Sequence, residues 1–196
     1  MSRECKDLHD YVRSLKRYTF PFDKNEVCKN GVYILFEKNE LGHNGERIVR
    51  IGSHDGDNNL SKRLQEHFLK ENKDRSIFRK NIGRAMLNKN NDSYLGVWDI
   101  DLTSKKAREE CQFLIKSEYQ QEIEKQVSKY IRDNCTFSVI EVLEREERLE
   151  LEKTLIQIVS SCNECCPSQD WLGNFSTVEK IRKSGLWQVQ HLKLHE

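Results

Sequence analysis

The sequence predicts an α/β (α+β) fold in which a small central antiparallel or mixed sheet is flanked by helices and interrupted by a helical insertion. Three observations carry this. Two short runs of strand-favouring residues, GVYILF at 31–36 and RIVRI at 47–51, flank the turn-forming LGHNG. Apolar residues then recur every fourth position, as Leu60, Leu64 and Phe68 and again as Phe78, Ile82 and Met86, the stripe of an amphipathic helix. A further strand-type run, 136–143, leads directly into another helical pattern, 145–161.

Each element follows in order. At 196 residues the chain is one domain, 1–196, of ordinary size. An N-terminal arm, 1–28, is helical over about 3–17 by its periodicity. The two strand runs form a β-hairpin with a long loop, and the polar HDGDNN leads to a helix over 60–70. The stretch 72–134 looks inserted. It holds a basic amphipathic helix at 76–88, an extra strand at 94–100 and one long charged helix at 105–134. The thin seam of that helix (Ala107, Cys111, Leu114, Ile123, Val127, Ile131) fits a solvated helix laid across a small core better than a coiled-coil partner site. In the C-terminal helical tail, 176–196, Ser176 and Glu179 have capping-box spacing and Gly185 ends the helix.

Composition narrows the class. Hydrophobic residues at 36% against charged at 33% leave a lean core, but aromatics at 9% and two prolines exclude a disordered chain. No run reaches the roughly 18 apolar residues of a membrane span, and the N-terminus lacks the apolar segment of a signal peptide, so the expected compartment is the cytoplasm. Seven cysteines, an odd number without an export signal, predict reduced thiols rather than a disulfide framework. Cys162, Cys165 and Cys166 have the spacing of half a structural zinc site. Cys5, Cys28 or His191 would have to complete it, and thiols at a helix end are the expectation.

The net charge of +1 averages two unequal parts: residues 1–90 hold 19 Lys/Arg against 13 Asp/Glu, and the remainder is acidic. Between Lys62 and Lys89 nine basic residues face three acidic ones, a concentration suited to a polyanion. Lys62, Arg75, Arg79, Lys80 and Arg84 are its candidate contacts.

Glu152 can be judged by helical geometry. On a wheel stepped by about 100° per residue, Leu149, Leu151, Leu155, Ile156, Ile158 and Val159 share one arc and Glu152 falls inside it. A carboxylate there needs a partner or a cation; Arg148, one turn back, is the ordinary partner and a metal ion the other. Arg63 and His67, four apart, project from one side of the 60–70 helix. They could be a surface pair, or a phosphate-binding fork beside a proton carrier. Tyr33 alternates with Val32 and Ile34 on its strand, where packing is the ordinary role.

In their order, Gly31-Val32-Tyr33, Arg50-Ile51-Gly52, Asn59 to Leu64 with Arg63 and His67, and later Glu152, the residues resemble the GIY-YIG nuclease family. The resemblance covers 31–70 and 136–175. It implies a metal-dependent endonuclease acting on double-stranded DNA, of a restriction-like or host-defence kind, with repair or mobile-element nucleases as neighbours. It also implies the roles. Glu152 would ligate Mg²⁺ or Mn²⁺, Arg63 with Arg50 would stabilise the phosphoryl oxygens, Tyr33 assisted by His67 would orient or deprotonate water, and Asn174 would complete the site. His54 is a secondary candidate. The chain departs from the family at Arg50, where the second motif has tyrosine; a guanidinium can donate to a phosphate but cannot act as a base. That departure keeps open a binding module that retains the fold without cleavage. A double-strand break would call for a homodimer.

Overall fold

The run GVYILF is unbroken in hydrophobicity because both its faces are covered. The computed structural model, which describes residues 2–193, places it at the start of strand β2 (Gly31–Gly42) in the middle of a four-stranded sheet. The other strands are β1 (Tyr18–Thr19), β3 (Gly45–Gly52) and β4 (Cys135–Glu141), in the order β1-β4-β2-β3, and every pairing is antiparallel. Val32, Ile34 and Phe36 point to one core, built with helices α1 (Ser2–Ser14) and α7 (Arg145–Ser160). Tyr33 and Leu35 point to the other, larger core. Alternation therefore sorts residues between two apolar layers rather than between core and water.

The larger core is covered by α2 (Leu60–Leu64, continued by a π-helical turn to Leu69), α3 (Ile77–Lys89) and α6 (Ser117–Asn134). The stripe Leu60, Leu64, Phe68 is fully buried there, with Phe78, Ile82, Ile123, Val127 and Ile131. Much of 72–134 thus packs in the same core as the hairpin. Only its middle, with Phe113 82% exposed, stays outside.

Four local expectations are corrected. The hairpin has no long loop: β2 runs on past a bulge at Asn39 (φ 69°), and His43 and Asn44 alone make the turn, at φ 50° and 63°. Two successive left-handed residues match the twist of the strands, and the polar bulge residues disguised the continuation. Residues 94–100 hold a helical turn, α4 (Leu95–Trp98), whose Trp98 indole donates to the Lys80 carbonyl, rather than an extra strand. The long charged helix is broken into α5 (Lys105–Cys111) and α6, with a short 3₁₀ turn at Gln112–Leu114 between them. The capping box does not form. Ser176 Oγ accepts from the Val178 N–H, and α8 (Glu179–Ser184) starts after it, ending at Gly185 with φ 66°.

The C-terminal segment is tied down by a buried carboxylate. Glu37 on β2 accepts the Trp171 and Trp187 indole N–H groups at 3.1 and 3.0 Å, and the Tyr130 hydroxyl. Among the described residues no helix is long and apolar enough to cross a membrane.

Candidate active site

Both glycines of the two strand motifs are required by close approach. Gly31 lies against the Ile140 carbonyl of β4, and Gly52 stands directly opposite Tyr33 with the phenol lying over it. A Cβ at either position would collide, at Gly52 with the Tyr33 hydroxyl itself. The tyrosine is thereby folded onto the point where β3 ends and the chain turns toward α2.

At that point a cleft of about 560 Å³ opens. Ser53, His54 and Asp55 supply one wall; Asn59, Lys62, Arg63 and Glu66 of the α2 region a second; Leu149 and Glu152 of α7 the third; and Gln190 of the tail a rim. Glu152 does not pair with Arg148. Its Oε2 takes the Ser53 hydroxyl in a short hydrogen bond, while fully buried Arg148 donates to the carbonyls of Val142, Leu143 and Gly56. The other carboxylate oxygen has no protein hydrogen bond among the described residues. Arg63 of the same lining is half-buried and Lys62 is exposed next to it in sequence.

Tyr33, Arg50 and His67 form a buried layer of polar groups that does not line this cleft. Tyr33 is 1% exposed, and its hydroxyl accepts Arg50 Nε–H at 3.2 Å. Arg50 also donates to the Trp187 carbonyl and sits 5.1 Å from the Phe78 ring centroid. Arg50, expected to contact phosphate, makes these three internal contacts and does not line the cleft. His67 is fully buried, with Nδ1 2.6 Å from Ser76 Oγ and no hydrogen-bond partner for Nε2 among the described residues.

Burial, and after it the charges of Arg50, Arg63 and Arg79, hold His67 well below the usual imidazole range. Burial and Arg148 lower His54 as well. The linkage has a definite sign. Above pH ~6.5 both folded and unfolded chains hold these rings neutral, and the full stability is present. Below it the unfolded chain takes up protons that the native chain refuses, and each ring contributes up to about 1.4 kcal/mol of lost stability per pH unit. The urea midpoint should fall between pH 7.5 and 5.5, with a shallower slope in His67→Gln. An identical slope in that variant would remove His67 as a cause.

Other expected site residues lie elsewhere. The Asn174 amide is spent on the Ser168 and Gln169 carbonyls, closing its own loop, and Asn174 does not line the cleft. Of the expected polyanion contacts only Lys62 is at the cleft. Arg75 is exposed at the edge of a different hollow, and Arg84 pairs with Asp99. Arg79 and Lys80 are interior: Arg79 is 0% exposed on Glu124 and Ser128, and Lys80 donates to the Asp99 carbonyl. Ser53, Glu66 and Gln190 went unnoticed in the sequence; Ser53 alone had a signal, being next to the motif glycine.

The cysteines are also redistributed. Cys166 is exposed and donates to Asn163, and Cys28 donates to the Asn30 carbonyl. Cys5 and Cys165 meet at 3.7 Å beside His9 and His43.

A family model described as the GIY-YIG domain matches residues 4–195. No curated protein and no solved structure matches the chain. The hairpin carrying Tyr33 over Gly52, the Arg63 helix and the Glu152 helix sit within that match, and the chain belongs to the GIY-YIG domain family.

Proposed function

We propose that the chain is a divalent-metal-dependent endonuclease that hydrolyses DNA phosphodiester bonds in the cleft between the end of β3, α2 and α7. The observation that carries this is that Glu152 and Arg63, from distant parts of the chain, line one polar cleft. The family is typically endonucleolytic, and a restriction-like or host-defence role fits a small domain.

The residues fit Mg²⁺ or Mn²⁺. Glu152 offers a half-buried carboxylate with one oxygen free of protein partners, and Mg²⁺ commonly binds through one or two carboxylates while keeping several waters. Bound there, the ion would supply Lewis-acid polarisation of the phosphate and stabilise the leaving oxygen. Ser53 fixes the rotamer of Glu152. The Arg63 guanidinium, planar and permanently charged, is suited to bridge two non-bridging phosphate oxygens, with Lys62 on the adjoining backbone. Tyr33, its hydroxyl hydrogen-bonded by Arg50, and neutral His67 would serve as a buried polar layer that supports the cleft without lining it.

One observation favours a second reading, a nucleic-acid-binding module without cleavage: Tyr33, Arg50 and His67 are all buried behind the cleft. Purified protein incubated with supercoiled and linear duplex DNA in Mg²⁺, Mn²⁺ or EDTA separates the two. Metal-dependent nicking or discrete fragments are expected. Intact DNA across diverse substrates, with binding that weakens as salt rises, would establish the module instead. Double-strand cleavage further predicts a homodimer on DNA, which gel filtration of the complex checks.

A further inference from the structure

On the face of the sheet covered by α1 and α7 lies a cluster of donors that the cleft does not use. Cys5 and His9 stand one turn apart on the buried face of α1, His43 is the first residue of the hairpin turn, and Cys165 follows α7. One ligand atom from each lies within 4.8 Å of all the others. Cys5 Sγ is 3.7 Å from Cys165 Sγ and 3.6 Å from His9 Nδ1, and Cys165 Sγ is 3.9 Å from His9 Nε2. A tetrahedral zinc ion with Zn–S of about 2.3 Å and Zn–N of about 2.0 Å spaces its donors by roughly 3.8 Å for two sulfurs and roughly 3.5 Å for sulfur and nitrogen. The Cys5–Cys165 pair at 3.7 Å and the Cys165–His9 Nε2 pair at 3.9 Å are near that spacing already, and all seven thiols are free.

The surroundings are those of ligands rather than of incidental neighbours. His43 Nδ1 is 3.4 Å from the Glu164 carboxylate, and its Nε2 lies toward the thiols, 3.4 Å from Cys162 Sγ. His9 Nδ1 is 2.8 Å from the Cys5 carbonyl, which directs Nε2 toward Cys165. Orientation of a histidine by a carboxylate or carbonyl on its second nitrogen is the usual support of a metal-bound imidazole. His9 Nε2 also accepts the Ile48 N–H at 3.2 Å, a bond that an ion would take over. Arg13 holds the turn in place by donating to the His43 carbonyl at 2.9 Å.

We propose that Cys5, His9, His43 and Cys165 bind one structural zinc ion. Two sulfurs and two nitrogens suit zinc rather than the oxygen-seeking ion of the cleft. With four protein ligands no position is left for substrate, so the ion would act as a cross-link. It would join α1, the hairpin turn and the segment after α7, whose cysteines are separated by 160 positions. Cys162 is the adjacent fifth donor.

The test is independent of cleavage. Protein purified without chelator should contain about one zinc per chain, and removal of the metal should lower Tm. Cys5→Ser with Cys165→Ser should lose the zinc, and His9→Ala should weaken its retention more than Cys162→Ser does. Should the double variant fail to fold, metal-free wild type titrated with Co²⁺ still decides, because thiolate ligation gives an intense charge-transfer absorption. Folded wild type with no zinc and no such absorption would overturn the site. Loss of zinc in Cys162→Ser with full retention in His9→Ala would overturn the donor set.

Discussion

Glu152→Gln is expected to lower DNA nicking at least about a thousandfold, the scale on which a site loses its main charge-stabilising group, with little change in stability. The two halves of this expectation have separate physical grounds. The carboxylate is half-buried and its only protein hydrogen bond among the described residues is from Ser53; an amide oxygen can accept that bond as well. What the amide lacks is the negative charge that would hold a divalent cation against an anionic substrate. Nicking rates in Mg²⁺ and Mn²⁺, read beside thermal melts of both proteins, check the prediction. Retained cutting would take the metal away from Glu152, and a collapsed melt would make the residue structural.

Arg79→Ala should act in the opposite way, costing about 3–5 kcal/mol of stability. Arg79 Nη2 lies 2.7 Å from a Glu124 oxygen and 2.9 Å from both the Glu124 carbonyl and Ser128 Oγ, and the two side chains are 0% and 5% exposed. Burial pushes the Glu124 carboxyl up despite the cation beside it, so desolvation works against the charged pair. Removing one partner leaves the other charged and dry. A joint Arg79→Met, Glu124→Leu change should recover much of the loss, since a buried ion pair is often no better than apolar packing. Urea denaturation of these two variants beside wild type measures this. Lys62→Ala supplies the contrast: unchanged stability, with DNA affinity lowered and the salt slope reduced by about one. An Arg79→Ala protein of normal stability and weakened DNA binding would restore the surface role that the sequence suggested.

That reversal shows where the sequence was legible and where it was not. Apolar periodicity located α2, α3 and α7 because burial of Leu60, Leu64, Phe78, Ile82, Leu155 and Val159 is decided locally, by spacing. Glu152 was legible for the same reason, as a charge on an apolar arc. The charges of α3 were misplaced because a basic residue is ordinarily solvated, and the carboxylate that brings Arg79 inside lies 45 positions away. Cys5, His9, His43 and Cys165 are scattered likewise, so the local cluster Cys162, Cys165 and Cys166, with Cys5 among its possible completions, reached the two cysteines but neither of the histidines that folding delivers. Asn174 sat at a suggestive position in the order of motifs, but its hydrogen bonds are to its own loop.

The arginine in the second motif has a consequence for how this sequence can change. Arg50 is joined at once to the Tyr33 hydroxyl, to the Trp187 carbonyl and to the face of Phe78, and Trp187 is itself bonded through its N–H to Val49 and through its indole to Glu37. Restoring the family's tyrosine at this position would strip a donor from the Trp187 carbonyl and bring a second phenol beside the first. Tyrosine at position 50 is therefore not a neutral substitution. Position 50 and the C-terminal segment are mutually dependent, and a substitution at one calls for a compensating change at the other.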